Sequence, residues 1–490
     1  MIIKAAILFS ATAAVALAAS GCRVGPAYTR PAAALAPEFK EALPDNFSAN
    51  SGWKAAQPGD TQLKGDWWKL FHDQQLDELE EQIEPANQTL KQAEANFRAA
   101  RAQIRYNRAS EAPTIGVAPS MGTVRDSANQ PYFSKSSANN GDGDMTLPFD
   151  LNYEIDLWGR IRRTFAQSRE QAQASAADLE TARLSLHAEL AISYFNLRSA
   201  DAQHKLLDET VLAFQKALQL TQDRYDGGAS ALSDVTQART QLQTAQVQST
   251  DVDIQRASYE HAIAVLIGKP PASFSLPQTP ITVAAPAIPA IPGALPSQLL
   301  ERRPDIAAQE RRMAAANEQI GIAKVAFYPT LSLSATAGFM GTSALNWFTW
   351  PSRFFAVGPT LSETFFDHGR RRATSDIALA QYDATIATYR QTTLEAFQQV
   401  EDNLNTLHNL EAEDAQQSAA TNSAQQSLDL FNTRYEGGVD TYLQVITWQT
   451  SLLQNERNGI EITRRRFEAS VLLIKALGGG WNITQLPQQP

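Results

Sequence analysis

Residues 224–235 read RYDGGASALSDV and residues 434–445 read RYEGGVDTYLQV, the same Arg-Tyr-acid-Gly-Gly opening at an interval of 210 residues. Upstream of each motif, 160–226 and 370–436 run for 67 residues with neither glycine nor proline. Each is long enough for a single helix of about 100 Å at ~1.5 Å per residue. Downstream, 229–267 and 439–477 are segments of 39 residues, interrupted only by Gly459 in the second. Each copy therefore reads as a long helix, a tight turn and a return helix. The repeat also extends towards the N-terminus. Leu157-Trp158-Gly159-Arg160 aligns with Asp367-His368-Gly369-Arg370 at the interval of 210, but Ala112-Pro113-Thr114-Ile115 aligns with Tyr328-Pro329-Thr330-Leu331 at 216. Six residues are missing from the second copy, which places the length change in a loop at about 125–143 of the first.

The long segments carry a heptad seam. Leu186, Leu190, Leu197, Leu207, Phe214 and Tyr225 fall on alternating steps of three and four, with Ser193, Ala200, His204 and Thr221 between them. The segments around the variable loop change period. MTLPFDLNYEIDL, from Met145 to Leu157, alternates apolar residues with Thr146, Asp150, Asn152, Glu154 and Asp156. TLSLSATAGF repeats the alternation, FAVGPTLSETF places Phe355, Val357, Leu361 and Phe365 on one face, and PTIGVAPSMG at 113–122 is the weakest of the four. Each copy thus predicts one β-hairpin with strands of about 10 residues, enough to cross a bilayer. Four strands do not close a pore, whereas three protomers supply twelve, arranged with pseudo-sixfold symmetry. Helical segments at 88–110 and 305–326 complement the return helices, so a helical tube is expected to continue the barrel. The fold class predicted is mainly α with a membrane β-barrel portion, two internal repeats per chain, and a trimer forming a 12-stranded β-barrel continued by a long α-helical barrel.

The N-terminus, MIIKAAILFSATAAVALAASGC, has one lysine, an apolar run of about 15 residues and small residues before Cys22, as a secretory signal does. Cys22 is the only cysteine, which excludes an internal disulfide and makes it a candidate lipidation site, with ordinary cleavage as the alternative. No later stretch has the 18 or more apolar residues of a spanning helix, so a membrane crossing must be a closed barrel. The net charge of −10 argues against a nucleic-acid partner. The six histidines show no ligand spacing, and no nucleophile elbow, phosphate loop or dinucleotide fingerprint occurs. No metal, cofactor or enzymatic activity is therefore expected. Trp347, Phe348 and Trp350 in NWFTW predict an interfacial aromatic girdle, with a loop folded over the pore exit as the rival reading.

CRVGPAYTRP after the signal, DWWKLFHDQQLDEL at 66–79, ERRPDIAAQERRMAAANEQIGIAKVAFYPTLSLSATAGF at 301–339 and KALGGGW at 475–481 resemble the outer-membrane factors of tripartite efflux pumps, in the acylated OprM/NodT branch of the TolC-like family. The resemblance covers nearly the whole chain. It implies a lipid-anchored homotrimer in the outer membrane with a long periplasmic extension. Its partners would be a periplasmic adaptor and an inner-membrane pump of the RND type. Its function would be passive conduction of drugs or toxic small molecules, gated at the periplasmic end. A type I protein-secretion duct and a non-channel coiled-coil lipoprotein are the alternatives. Ala19-Ser20-Gly21-Cys22 resembles a lipobox, and Arg23 in the following position favours outer-membrane sorting.

The resemblance also assigns residues at the turns. Arg224, Tyr225, Gly227, Gly228, Arg434, Gly437 and Gly438 become adaptor-docking turns. Asp234 matches the aspartate that ties neighbouring hairpins in the closed state of TolC, and Tyr435 matches its tyrosine partner. The arginine of that network falls at Asp440, which leaves Arg224 or Arg434 to take its role. Leu443 matches a constricting leucine ring, while Thr447 and Gln444 stand where the family carries gating carboxylates. Each residue also has a plainer role: Asp234 as a first-turn acid opposing the helix dipole, Tyr225 and Tyr435 as seam residues, and Leu443 as a core leucine. The organisation expected is a signal peptide at 1–21 and an acylated segment entering the equatorial region at 22–87. Repeat 1 follows at 88–267, with its β-hairpin at about 112–158 and helical hairpin at 160–267. A Pro-rich linker at 268–297, read as an extended strap with disorder as the alternative, leads to repeat 2 at 298–477, with its β-hairpin at about 328–367 and helical hairpin at 370–477. A tail at 478–490 ends the chain.

Overall fold

The structure, a computed structural model, describes residues 23–32, 39–40, 66–125, 127, 129, 142–281 and 303–479. The signal segment, Cys22, the centre of the variable loop, 282–302 of the Pro-rich stretch and its junction, and 480–490 lie outside the described residues. In chain order the helices are α1 (Gln74–Glu80), α2 (Ile83–Ala86), α3 (Gln88–Arg108), α4 (Arg160–Asp226), α5 (Leu232–Leu266), α6 (Pro304–Val325), α7 (Arg370–Glu436) and α8 (Tyr442–Ala476). The strands are β1 (Thr114–Val117), β2 (Ser120–Val124), β3 (Asp142–Ile155), β4 (Thr330–Gly341) and β5 (Arg353–Ser362). Among the described residues no helix is long and apolar enough to cross a membrane. The chain divides into two compact units, Met1–Pro31 with Phe97–Ser175 and Gln309–Tyr389, and Ala32–Asn96 with Ala176–Ala308 and Arg390–Pro490.

The first unit holds one antiparallel sheet. β1 and β2 both pair with β3, which pairs with β4, which pairs with β5. β1 and β2 are one strand interrupted at Ala118 and Pro119. Ile115 opposite Leu151 before the gap and Met121 opposite Met145 after it keep a single register. Two prolines meet at the gap, Pro119 on one strand and Pro148 on the other, and neither has an N–H to donate to the ladder. This explains why PTIGVAPSMG reads weakly as a strand.

The register brings the apolar sets of all strands to one side. Phe149 faces Ala337, Leu151 faces Ala335, Tyr153 faces Leu333, and Ala335 and Ala337 in turn face Val357 and Phe355. Asp150, Asn152 and Glu154 lie opposite Thr336, Ser334 and Ser332 on the other face. The apolar face is open in the protomer, with Ile115 73% and Phe355 78% exposed. β5 ends at Ser362, three residues before the predicted Phe365, because β4 begins at Thr330 directly opposite Ser362 and offers nothing beyond it. In the β4–β5 loop Trp347 turns back, donates from Nε1 to the Phe339 carbonyl at 3.3 Å and stacks on Phe348, while the Arg353 guanidinium lies 3.8 Å over Trp350.

The arm after Cys22 is fixed to the foot of this sheet. Val24 N–H donates to the Trp158 carbonyl at 3.3 Å. Glu318 accepts from Arg23 Nη2 at 2.5 Å and from buried Arg163 Nη1 at 2.7 Å. Gly321 makes room for Arg163, since a Cβ there would lie 2.4 Å from its Nε.

In the second unit the predicted seam is the buried stripe of α4, with Leu190, Leu197 and Leu207 fully buried. The segment Trp67–Phe71 and α1 close one part of it. Asp73 caps α1 by accepting from Gln75 and Leu76 N–H, and Phe71, Phe195 and Phe467 pack ring against ring. Trp68 stacks at 4.4 Å on His187, whose Nδ1 lies 2.7 Å from buried Glu80 Oε2. The Pro-rich stretch is held as far as it is described. Asp201 pairs with Arg198 and Arg256, and these groups bind Pro277 O, Leu276 O and Thr279 N–H, while Ile281 N–H donates to Arg198 O.

Two outcomes follow from these buried charges. Removing Glu318 leaves Arg163 with an unpaired buried charge, a loss of about 3–5 kcal/mol. Glu318→Ala should therefore lower the thermal midpoint of the detergent-solubilised protein markedly, whereas exposed Glu111→Ala should leave it almost unchanged. Burial pushes Glu80 up from 4.5 to about 7. Between those values the folded chain keeps a proton that the unfolded chain has lost, so stability falls as pH rises. Burial lowers His187, but its hydrogen bonds to Glu80 and Glu84 more than offset this and raise it. That raises stability below the ordinary imidazole value and removes it as pH climbs through the folded value. Both groups act in one direction, so the midpoint should decline as pH rises from about 5 to about 7. Glu80→Gln should flatten the decline, and an unchanged slope would count against the pair as its source.

Candidate gate and docking turns

The two Gly-Gly turns close by one geometry. After α4, Gly228 N–H donates to Tyr225 O and Ala229 N–H to Arg224 O; after α7, Gly438 N–H donates to Tyr435 O and Val439 N–H to Arg434 O. These are Schellman caps, with Gly228 and Gly438 in the left-handed region at φ 75 and 72. Only the second glycine of each pair needs that conformation; Gly227 and Gly437 are not left-handed. The caps consume the residues at 227–229 and 437–439. Ala231 and Thr441 then hold extended N-cap angles, so the return helices start at Leu232 and Tyr442 rather than immediately after the glycines.

Side chains distinguish the turns. In the first, Asp234 in the opening turn of α5 accepts from Ser230 Oγ at 2.9 Å and sits where an acid favours the helix dipole. In the second, the position matching Ser230 is Asp440, which pairs with Arg434 Nε, and the position matching Asp234 is Gln444. The acid has moved by four residues, from the helix start to the turn. With Ser230 offering no charge, Arg224 reaches across to the other repeat: its guanidinium lies 4.5 Å over the Tyr435 ring and donates to the Tyr435 carbonyl at 3.4 Å. Among the described residues neither Arg224 nor Arg434 pairs with Asp234, so within the protomer neither replaces the arginine of the family network. Sequence comparison missed the Arg224–Tyr435 bridge. The one available signal was the change from Asp440 to Ser230 between motifs that keep both arginines.

Tyr435 is a packed residue, 8% exposed, with its ring 5.3 Å from Tyr442 in a cluster with Ala238, Val445 and Ile446. All four long helices contribute to this cluster, since Ala217, Leu218 and Leu428 pack against it. Tyr225, its counterpart in the first repeat, is 38% exposed. Leu443 does not take the core position. It is 53% exposed and shares an open face with Gln444 and Thr447, whose hydroxyl donates to the Leu443 carbonyl. Val439 and Leu232 add apolar surface at the turns. Cys22 lies outside the described residues. Among the described residues no cluster of His, Cys, Asp or Glu could hold a metal ion.

The family described as outer membrane efflux protein matches residues 79–269 and 295–479. Outer membrane protein OprJ of Pseudomonas aeruginosa is 31% identical over 469 residues, covering 96% of this chain and 95% of its own. The toluene efflux pump outer membrane protein TtgC of Pseudomonas putida is 29% identical, covering 94% and 93%. The solved outer-membrane channel OprN superposes with a TM-score of 0.85 at 28% identity, over 94% of this chain and 100% of that one. Two matched segments coinciding with the two repeats, near-complete mutual coverage and a common channel fold lead to one assignment: the chain belongs to the outer membrane efflux protein family.

Proposed function

We propose that this protein is the lipid-anchored, gated exit duct of an RND-type tripartite pump and carries drug-like or toxic small molecules passively out of the cell. The coarser part of this reading is the family's own: an outer-membrane efflux channel of three protomers working within a tripartite pump, with a twelve-stranded barrel continued by a helical barrel. The observation that carries membrane residence is the sheet, whose single continuous apolar face is open in the protomer. A coiled-coil lipoprotein without a pore has no use for it. The substrate class is supported by relatives whose names include a toluene efflux pump component. The duct does no chemistry; the pump supplies the energy.

The periplasmic gate is assigned to Asp234, Tyr435, Asp440, Leu443, Gln444 and Thr447, and adaptor docking to the turns at Arg224, Tyr225, Gly227, Gly228, Arg434, Gly437 and Gly438. In this reading Arg224 is the latch that keeps the first repeat's tip on the second. Its stacking on Tyr435 belongs to a class of contact worth about 0.5–2 kcal/mol, enough to bias a two-state tip without freezing it. Asp234 is the acid left to bind a neighbouring hairpin. The open face of Leu443, Gln444 and Thr447 provides a constriction with weak polar character in place of the family's carboxylates.

Purified trimer in planar bilayers is expected to conduct weakly at rest, and Arg224→Ala and Asp234→Ala are each expected to raise the conductance several-fold. A folded trimer that conducts in no form would refute the gated duct. Acyl labelling should mark the parent chain and disappear in Cys22→Ser, and label that persists in that variant would exclude Cys22 as the anchor.

A further inference from the structure

The two hairpins are images of each other in hydrogen-bond register. Thr114 opposite Asn152 and Ile115 opposite Leu151 in the first become, at the repeat intervals of 216 and 210, Thr330 opposite Ser362 and Leu331 opposite Leu361 in the second. The contact between hairpins, β3 on β4, must then have an image as well. Within one protomer it has none, because β5 and the β1–β2 strand are the two open edges of the sheet.

We propose that Glu363–Phe365, beyond the end of β5, is a strand extension completed only by a second copy of this chain. The same intervals convert Ile155 opposite Leu331, Glu154 opposite Ser332 and Tyr153 opposite Leu333 into the missing pairs. Phe365 pairs with Ile115 of the partner subunit, Thr364 with Gly116 of the partner subunit, and Glu363 with Val117 of the partner subunit. This rests on the trimeric barrel and adds to it a register and an ordering event.

Three observations support it independently. β3 already shows the extension: Tyr153–Ile155 run beyond the last β1 contact at Asn152 and are held by β4 alone. The equivalent residues after Ser362 have left the last β4 contact and lack a strand to hold them. The exposed apolar surface also matches, since Phe365 is 91% exposed and the Ile115 side chain 73% exposed, and the register sets one beside the other on the apolar face. Alternation is preserved along most of the seam, because Leu361 then meets Pro119 of the partner subunit and Pro359 meets Met121 of the partner subunit, with Glu363 the one acidic residue of the extension on the apolar side. A register shifted by one residue would place the apolar set of one chain opposite the polar set of the next.

The test uses the full-length chain in outer membranes, with trimer scored on native gels and covalent species on non-reducing denaturing gels after mild oxidation. Directly opposed residues bring Cβ atoms to about 4.5–5.5 Å, near disulfide range, whereas a two-residue slip does not. A side chain at Gly116 meets nothing within 4 Å in the protomer. The pair Gly116→Cys with Thr364→Cys should give covalent trimer at least tenfold above Gly116→Cys with Ser362→Cys, and single variants should give none. A native trimer linked only through the Ser362 pair, or through neither, overturns the register. A parent chain that is not trimeric overturns the trimeric reading itself. As a second measure independent of cysteine, Phe365→Asp should lower the temperature at which the trimer dissociates, and an unchanged temperature overturns the proposal.

Discussion

A backbone amide in hydrocarbon has no water to bind, and most of this protein's design follows from that constraint. A sheet that presents one apolar face to lipid must have no open edge, yet each chain supplies only the interrupted β1–β2 strand, β3, β4 and β5. The economical remedy is duplication. One hairpin duplicated in sequence gives an internal seam, and the same seam repeated between chains closes the wall. The six residues missing from the second copy fall in a loop, where they leave the register of the two hairpins identical.

Closure by copies places a demand on the polar side of the sheet and at its foot. The arm that follows Cys22 ends on Glu318, which also neutralises the buried Arg163, so a single carboxylate joins the N-terminal arm, the start of α4 and the middle of α6. Two guanidinium groups sharing one acid make a costly arrangement to assemble and a more costly one to break. A site of this kind fixes where the arm leaves the protein, and the proposed lipid anchor is the residue immediately before it.

Much of the architecture was legible because glycine and proline are sparse and placed at the ends of elements. Two runs of 67 residues without either mark α4 and α7, and period-two alternation from Met145 to Leu157 marks β3. Legibility failed where tertiary neighbours decide. Phe365 fits the alternation of β5, but a strand ends where its partner ends, and Thr330 ends it at Ser362. Leu443 has the composition of a core residue and lies on an open face, because Val445 and Ile446 hold the packed positions of that turn. Ion pairs such as Arg163 with Glu318 join residues 155 apart, and no local pattern records them.

The turns show how a repeat acquires inequivalent halves without losing its backbone. Both caps use the same hydrogen bonds and the same left-handed glycine, so the second glycine of the motif is a structural requirement in each copy. What varies is the residue two positions after the second glycine: Ser230 in one copy, Asp440 in the other. An aspartate there captures its own arginine, whereas a serine there leaves Arg224 free to cross to Tyr435. One substitution between copies thus converts a self-contained turn into a bridge between repeats. A second exchange, Asp234 against Gln444, leaves a carboxylate in the opening turn of the return helix in the first repeat alone. The two turns of each chain are therefore alike in backbone and unlike in side chains, and the Arg224 contact on Tyr435 ties one to the other.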